Sequence, residues 1–283
     1  MTKIHQFNQN QFINLKGRLY DLSIPRIMGI INVTPDSFFE DSRKIGEKVI
    51  LETVEQMLNQ GADIIDIGGA STRPNAIIPS TEEEINRILK PIQLIKKNFP
   101  QAIISLDTMR GEVARIGIEE GIEIINDVSG GIYDKTILDI VAKSKVPYIL
   151  THSNGNEINK VPLDSERNIT TEIISYFSNR IQDLKKVGIN DIIIDPGFGF
   201  DKSISENYEL VKNFEMLHLL EKPILVGISR KSMIYNKLKI SANDSLNGTT
   251  ALHTLLYLKK ASIFRVHDIK EMNELKELLK ACS

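Results

Sequence analysis

The sequence predicts an α/β protein whose core is a (β/α)8 TIM barrel preceded by a short N-terminal β-hairpin. Eight short apolar runs rich in β-branched residues recur along the chain, each with the pattern of a buried strand. A helical segment follows each run after a short connection, and strands that alternate with helices pair in parallel. Eight such units in roughly 250 residues are typical of an eight-stranded barrel. We therefore divide the chain into an N-terminal segment, 1–24, and a barrel domain, 25–283.

The first predicted elements are the hairpin and the first barrel unit. Residues 12–22 alternate apolar and polar side chains around Gly17, which is the pattern of two short antiparallel strands. The first barrel strand covers 27–33, with Asn32 near its end. The loop 34–42 follows, and a helix is predicted from about 46 to 59, capped by Gly61.

The second barrel strand is the run 64–67, which is too short for a free-standing helix and ends at two glycines. The residues after it, Ser71, Thr72 and Arg73, are of types that bind anions, and arginine offers a planar fork of donors. Taken alone, this segment fits a tight turn with a surface arginine equally well. Ser80 and the glutamates that follow it predict the start of a helix reaching to about 98.

The remaining six barrel strands follow the same pattern, at 103–106, 122–125, 147–150, 191–194, 224–228 and 262–266. Helical segments lie between them and after the last, and two of the longest are predicted at 165–186 and 203–219. A doubly wound open sheet is the alternative architecture. It is disfavoured because no glycine-rich dinucleotide fingerprint follows the first strand.

Composition and charge narrow the range of functions. The 283 residues carry a formal net charge of −2 and a pI near 6.3, so the chain lacks the basic surface of a nucleic-acid-binding protein. The single cysteine, Cys282, excludes an internal disulfide and a multi-cysteine metal site, and it suits a reducing cytoplasm. The N-terminus has no apolar core of a signal peptide, and no run is long enough to span a membrane. We expect a cytoplasmic protein.

The strand ends carry the candidate functional residues, because barrels of this type build their active sites there. Seven ends bear polar or charged side chains: Asn32, Thr72 with Arg73, Asp107, Asn126, Asp195, Arg230 with Lys231, and Arg265 with His267. A single Asp or Asn after a strand is more often a cap or a turn residue. Seven ends that converge on one rim are harder to explain in that way.

These residues form two chemical groups. Asn32, Arg73, Arg265 and His267 suit a phosphate group, although a pair of surface cations is the alternative for the last two. The other group combines acceptors and donors that would match a flat heterocycle with an amino-pyrimidinone edge: Asp107, Asn126, Asp195 and Lys231. A buried ion-pair network around the lysine is the alternative. No spacing predicts a zinc or iron site, whereas Mg²⁺ carried in on a phosphate needs few protein ligands.

Several motifs, in this order, resemble those of dihydropteroate synthase. They are Ile31-Asn32-Val33-Thr34-Pro35-Asp36-Ser37-Phe38, Gly68-Gly69 with Ser71-Thr72-Arg73-Pro74, Ser105 with Asp107-Thr108, Asn126-Asp127-Val128-Ser129-Gly130, Asp195-Pro196-Gly197-Phe198-Gly199-Phe200, Ser229-Arg230-Lys231-Ser232 and Arg265-Val266-His267-Asp268. The resemblance extends from about residue 27 to the C-terminus. It implies a (β/α)8 enzyme of folate biosynthesis, usually a homodimer and the target of sulfonamides. Such an enzyme joins 6-hydroxymethyl-7,8-dihydropterin diphosphate to 4-aminobenzoate and releases pyrophosphate.

The resemblance also implies roles for individual residues. The pterin would be bound by Asp107, Asn126, Asp195 and Lys231, and the diphosphate by Asn32, Thr72, Arg73, Arg265 and His267, with Mg²⁺ on Asn32. The 4-aminobenzoate would be framed by Pro35, Phe38, Thr72, Phe200 and Ser232. The residues implied to act in catalysis are Asn32, Arg73, Lys231, Arg265 and His267.

Three segments depart from the family pattern. Glu40-Asp41-Ser42 stands where a glycine pair is common, Ala70 replaces a common acidic residue, and Thr151-His152-Ser153 replaces a frequent Met-His-Met. None removes a residue with a chemical role. Two other functions remain open at this point, a pterin-binding methyltransferase domain and a non-catalytic pterin-binding module. The first would not need a diphosphate group of residues, and the second should have lost the first two loops.

Overall fold

A computed structural model describes residues 11–33, 43–70, 78–153 and 168–282. Two strands form the hairpin and eight form the barrel: β1 (Phe12–Leu15), β2 (Arg18–Asp21), β3 (Arg26–Asn32), β4 (Ile64–Gly68), β5 (Ile103–Asp107), β6 (Ile124–Asp127), β7 (Tyr148–Thr151), β8 (Ile192–Asp195), β9 (Leu225–Val226) and β10 (Ile263–Val266).

Helices follow the barrel strands in the described part of the chain. They are α1 (Arg43–Asn59), α2 (Thr81–Asn98), α3 (Gly111–Glu119), α4 (Thr136–Ser144), α5 (Ile169–Lys186), α6 (Ile204–Lys212), α7 (Ser232–Leu238), α8 (Leu246–Leu258) and α9 (Ile269–Ala281). The helix start predicted at Ser80 is confirmed, and a capping box forms there: the Glu83 N–H donates to Ser80 Oγ and the Ser80 N–H donates to Glu83 Oε2. Among the described helices, none has the length and apolar character needed to cross a bilayer.

The eight barrel strands are hydrogen-bonded in the order β8-β7-β6-β5-β4-β3-β10-β9, and every pair is parallel. The two ends of this sheet meet beside β9. The Ile194 N–H donates to the Pro223 carbonyl at 3.0 Å, and Ile194 forms a parallel bridge with Ile224. The predicted barrel is therefore confirmed, and so is the antiparallel hairpin of β1 and β2.

The N-terminal hairpin packs against one end of the barrel interior. Ile13, Leu15 and Leu22 are buried in one apolar cluster with inward-facing strand residues. Those partners are Met28, Ile64, Ile124, Ile149, Ile193, Leu225 and Ile263. The Asn14 N–H also donates to Asp191 Oδ1 at 3.0 Å, next to the start of β8. The hairpin therefore closes the amino end of the barrel, and the polar strand ends lie at the opposite end.

Two predicted elements differ from the observed ones by more than a shift of their ends, whereas the strand predicted over 122–125 is observed two residues later, as β6. The helix predicted over 203–219 is α6 followed by a 3₁₀ helix, Phe214–Leu220. The 3₁₀ repeat of three residues buries both Phe214 and Leu217, and the His218 ring bonds to the Lys259 carbonyl at 2.8 Å. The strand predicted over 224–228 is reduced to β9, because after Val226 the chain passes through Gly227 into the Ser229–Lys231 turn.

Candidate active site

The barrel interior changes from apolar to polar along most of its strands. The inward-facing apolar residues that pack on the hairpin form what we call the apolar floor. Side chains two apart in a strand face the same side, so the residue two positions after each floor residue also faces inward. On six strands that residue is polar or charged: Asp66 after Ile64, Ser105 after Ile103, Asn126 after Ile124, Thr151 after Ile149, Asp195 after Ile193 and Arg265 after Ile263. The strand pattern therefore creates a polar layer above the apolar floor.

Arg265 connects this layer across the barrel. Its Nε donates to Asp66 Oδ2 at 2.7 Å and its Nη2 donates to Asp107 Oδ2 at 2.8 Å. The Asn126 Nδ2 donates to the same Asp66 oxygen at 3.1 Å. Burial works against the charge on Arg265, but the carboxylates of Asp66 and Asp107 raise the pKa of its guanidinium. These four residues form what we call the Arg265 network.

Asp107 is poised to titrate near neutral pH. It is 6% exposed, and burial raises the pKa of its carboxyl group to about 7. Arg265 counteracts this rise, whereas the neighbouring charges of Asp66, Glu84 and Asp127 add to it. The carboxyl group can therefore change its protonation state with small changes in its surroundings.

The loop after β8 brings Asp195 and Lys231 together. Asp195 Oδ1 accepts from the Gly197 N–H at 2.8 Å, and Lys231 Nζ donates to the Phe198 carbonyl at 2.5 Å. The same ammonium lies 4.4 Å from the centre of the Phe200 ring. Burial lowers the pKa of Lys231 to about 8, while the charge of Asp195 acts in the opposite direction. Burial raises the pKa of Asp195.

Lys202 fixes the shape of that loop. Its Nζ donates to the carbonyls of Gly197 at 2.9 Å and Phe200 at 3.1 Å, and it lies 3.1 Å from His152 Nδ1. Burial lowers the pKa of Lys202 to about 7. Because main-chain carbonyls satisfy this ammonium, its contribution is to hold the loop that carries Phe200.

His267 and Arg230 lie where the last two strands end. The Ser229 hydroxyl contacts both the His267 main-chain nitrogen at 3.3 Å and its Nδ1 at 3.1 Å. Arg230 forms an ion pair with Asp268, its Nη2 2.7 Å from Oδ1. The turn after β9 is therefore bound to the end of β10, which fixes the position of His267 relative to Lys231.

Comparison with known proteins identifies the family. Residues 28–267 match the family model described as "Pterin binding enzyme". Dihydropteroate synthase from Escherichia coli (strain K12) is 36% identical over 268 residues, covering 94% of each chain, and that from Streptococcus pyogenes serotype M6 is 38% identical over 257 residues, covering 89% of this chain and 94% of the relative. The chain belongs to the dihydropteroate synthase family. It is a transferase, and its activity is that of a dihydropteroate synthase.

Solved dihydropteroate synthase structures share the whole fold. The Xanthomonas albilineans enzyme with 4-aminobenzoic acid superposes with a TM-score of 0.88 at 32% identity, covering 96% of this chain and 98% of that one. The same enzyme in complex with 7,8-dihydropteroate gives a TM-score of 0.82 at 30% identity, with the same coverage. These comparisons favour the synthase over the methyltransferase domain and over the non-catalytic module.

The described residues contain nine of the thirteen site residues that the sequence predicts for this family. Asn32 is exposed at the end of β3, opposite Gly68, and Ser232 is the half-buried first residue of α7. The polar layer at the strand ends contains four of the others, Asp107, Asn126, Asp195 and Arg265. The loops that follow the strands carry the remaining three, Phe200, Lys231 and His267. The other four, Pro35, Phe38, Thr72 and Arg73, lie outside the described residues.

The two chemical groups are less separate in the structure than in the sequence. Arg265, expected with the diphosphate, is paired directly with Asp107, which is expected with the pterin. Asp66 and Lys202 are functional candidates that the sequence analysis missed. A signal for Asp66 was present, because a carboxylate interrupts the isoleucine run of a fully buried strand.

Proposed function

We propose that Asp107, Asn126, Asp195 and Lys231 bind the pterin ring of 6-hydroxymethyl-7,8-dihydropterin diphosphate. The observation that carries this proposal is the convergence of these donors and acceptors in one buried polar layer above the apolar floor. Lys231 lies within the electrostatic influence of Asp195, Arg265 and Asp107. Ionised carboxylates accept from ring N–H groups, the amide both donates and accepts, and the ammonium donates to a ring carbonyl or nitrogen.

The diphosphate is assigned to Asn32, Thr72, Arg73, Arg265 and His267. The support from the described residues is the orientation of Arg265: with Nε and Nη2 bonded to carboxylates, its Nη1 is not engaged by any described residue. Two further N–H donors are thus available for an anion. His267 directly follows β10, the strand that carries Arg265, and its ring is held by the Ser229 hydroxyl.

A Mg²⁺ ion bound with the diphosphate fits the residues present. In the described part of the chain no group of three or more His, Cys, Asp or Glu side chains could hold a metal by itself. Mg²⁺ commonly retains several waters and takes one or two protein oxygens together with substrate phosphates. The Asn32 amide oxygen, at the exposed end of β3, is a ligand of the right type. When bound, Mg²⁺ would supply further positive charge to the departing diphosphate.

The 4-aminobenzoate is assigned to Pro35, Phe38, Thr72, Phe200 and Ser232. Phe200 supports this assignment, because its ring packs against the Lys231 ammonium at the border between the proposed pterin site and the loops. Ser232 follows Lys231 directly and begins α7. The amino group of the aromatic acid must reach the pterin methylene, so its site has to border that of the pterin.

The chemistry follows from charge stabilisation. The bond between the pterin methylene carbon and the diphosphate oxygen breaks, and the ring delocalises the developing positive charge. Arg73, Arg265 and His267, with Asn32, stabilise the departing negative charge, and preorganised donors contribute most at this point. Lys231 holds the ring in place. The arylamine nitrogen then bonds to the methylene carbon and releases a proton, which needs no strong base because an arylammonium ion is acidic.

A pyrophosphate-release assay tests this assignment of substrates and metal. Purified protein with the pterin diphosphate, 4-aminobenzoate and Mg²⁺ should release pyrophosphate and form dihydropteroate. Omitting 4-aminobenzoate should stop dihydropteroate formation, and removing Mg²⁺ with EDTA should lower the rate at least tenfold, with recovery on adding Mg²⁺ in excess. Full activity after EDTA treatment would refute the metal assignment and leave the rest of the proposal standing.

Pterin affinity should depend on pH in a bell-shaped manner. Ionised Asp107 accepts a ring N–H, so affinity should fall as pH drops below its pKa of about 7. Protonated Lys231 donates, so affinity should fall as pH rises above its pKa of about 8. Calorimetric titration with a pterin lacking phosphate, at pH values from 5.5 to 9.5, measures the profile.

Replacing each residue separates the two limbs of that profile. Lys231→Arg keeps the positive charge at high pH, so the alkaline limb should disappear while the acid limb remains. Asp107→Asn should remove the acid limb at a lower overall affinity. A profile that is flat in the unmodified protein would exclude both groups from the pterin site.

We also propose that the protein is a homodimer. The support is a set of exposed leucines on the neighbouring helices α7 and α8, namely Leu238, Leu255 and Leu258. Leu255 and Leu258 are three residues apart and therefore share one face of α8, and exposed apolar faces are typical of subunit interfaces. Sedimentation velocity measures the state directly, and Leu255→Asp with Leu258→Asp should shift a dimer to monomer. A monomer in the unmodified protein at micromolar concentration would contradict the proposal.

The cytoplasm is the proposed location. The single cysteine is exposed and not part of a disulfide, as suits a reducing compartment. Cell fractionation followed by immunodetection tests the location, and recovery with membranes or the culture medium would contradict it.

A further inference from the structure

Asp66 is a buried carboxylate for which the assignments above give no role. It is 0% exposed, in the middle of β4, with isoleucines on both sides. A charge in such a position is costly unless it is paired, and replacing a buried ion pair by apolar side chains is often neutral or even stabilising. Stability alone therefore gives little reason for an aspartate at this position.

A single oxygen of Asp66 joins the two halves of the proposed substrate site. Oδ2 accepts from Arg265 Nε at 2.7 Å and from Asn126 Nδ2 at 3.1 Å. The other oxygen, Oδ1, is buried and has no hydrogen-bond partner among the described residues. The carboxylate is thus held by an arginine assigned to the diphosphate and by the amide assigned to the pterin.

These contacts determine which groups Arg265 and Asn126 can offer to a ligand. Asp66 and Asp107 accept from two different nitrogens of the planar guanidinium, Nε and Nη2, which fixes its plane and leaves the Nη1 donors for another partner. An ionised carboxylate can only accept, so it selects the nitrogen of the Asn126 amide and leaves Oδ1 of that amide as an acceptor. Without Asp66, the amide could rotate and the guanidinium would be held at Nη2 alone.

We propose that Asp66 is a positioning residue that holds Arg265 and Asn126 in the orientations in which they bind the pterin diphosphate. This inference rests on the proposed roles of those two residues. Asp107 alone would neutralise Arg265, so a second carboxylate is not needed for charge balance. The second one also adds to the effects that raise the pKa of Asp107, which is a cost that positioning explains and simple pairing does not.

Asp66→Asn tests the proposal, with Asp63→Asn as its matched control. Asp63 lies just before β4, and it also pairs with an arginine, because Arg26 Nη1 is 3.2 Å from its Oδ1 at the amino end of the barrel. Calorimetric titrations with pyrophosphate and with a pterin lacking phosphate should each show at least tenfold weaker binding for Asp66→Asn. Asp63→Asn should stay within about threefold of the unmodified protein for both ligands. Unchanged affinities in a folded Asp66→Asn protein would overturn the proposal.

A double-mutant cycle distinguishes positioning from a general loss of structure. In an Arg265→Ala background, adding Asp66→Asn should change pyrophosphate affinity by less than twofold, because the group that Asp66 orients is absent. Pterin affinity should still fall, because Asn126 remains to be oriented. An equal loss of pyrophosphate affinity in both backgrounds would mean that Asp66 acts through the fold and would overturn the proposal.

Two further measurements cover the case in which Asp66→Asn does not fold. Asp66→Glu keeps the charge but moves it by one methylene, and the same titrations should show weaker binding of both ligands; unmodified affinities would count against positioning. In the unmodified protein, the Nε–H of Arg265 should exchange slowly with solvent by NMR. Exchange as fast as that of the exposed Arg18 would show that Asp66 does not hold the guanidinium.

Discussion

Replacing Arg265 with alanine is expected to lower kcat/KM by between about 30-fold and several thousand-fold. Truncating one partner of a buried, hydrogen-bonded charge pair costs about 2–5 kcal/mol, and each 1.36 kcal/mol corresponds to a factor of ten. The variant loses the donors proposed for the diphosphate, and it also leaves Asp66 and Asp107 without their counter-charge. Steady-state kinetics with the pterin diphosphate as the varied substrate measures the loss.

Arg26→Ala provides the control for this experiment. The side chains of Arg26 and Arg265 are both 22% exposed, and each pairs with an aspartate, but Arg26 pairs with Asp63 at the amino end of the barrel. We expect Arg26→Ala to reduce thermal stability and to keep kcat/KM within about threefold. If both variants lose catalysis equally, the effect of Arg265 arises from the fold, and its assignment to the diphosphate fails.

The contacts of Arg265 also alter the prediction of which ligands Arg265→Ala should affect. From the sequence alone, Arg265 belongs to the phosphate group of residues, and its loss should spare a pterin that lacks phosphate. Because Arg265 Nη2 donates to Asp107, the loss should also disturb the carboxylate proposed for the pterin. We therefore expect weaker binding of both ligands, with the larger loss for pyrophosphate.

The barrel could be predicted because its strands have an unambiguous local signature. Short isoleucine-rich runs between helices leave few alternatives to a parallel sheet, and the strand-end rule then selects the functional residues. This rule found Asp107, Asn126, Asp195, Lys231, Arg265 and His267, all of which the structure brings to the carboxyl end of the barrel or the loops above it. Local pattern was sufficient because each of these residues lies at the end of an apolar run or within three residues of it.

Contacts across the barrel could not be predicted in the same way. Asp66 and Arg265 are 199 positions apart, and the period of a strand tells which face a residue occupies but not which residue it meets. Lys202 resembles a surface lysine in a polar loop, and only the folded loop surrounds its ammonium with carbonyl groups. The 3₁₀ helix Phe214–Leu220 was hidden for a related reason, since its burial depends on neighbours from other parts of the chain.

The other large effect is expected for Gly197→Ala, in the loop that connects Asp195 to Phe200. Gly197 has φ +69, and a Cβ added there would lie 2.1 Å from the His152 carbonyl oxygen. That oxygen belongs to the main chain beside β7 and cannot move without displacing the strand end. The dihedral strain costs roughly 1–3 kcal/mol, and relieving the contact must shift the loop as well. We expect a total loss of stability of about 3–5 kcal/mol.

Catalysis should fall along with stability in Gly197→Ala, because the Gly197 N–H donates to Asp195 and the Gly197 carbonyl accepts from Lys202. Gly188→Ala is the control that introduces the same backbone strain without the steric clash. Gly188 has φ +96, but the atom nearest to an added Cβ is the Cβ of Ala142, 4.0 Å away. The control should lose only about 1–2 kcal/mol and keep its kcat/KM. Urea denaturation and steady-state kinetics measure both quantities for each variant. Equal destabilisation of the two proteins, with catalysis intact in both, would show that the loop tolerates the side chain and that its close approach to His152 does not position Asp195.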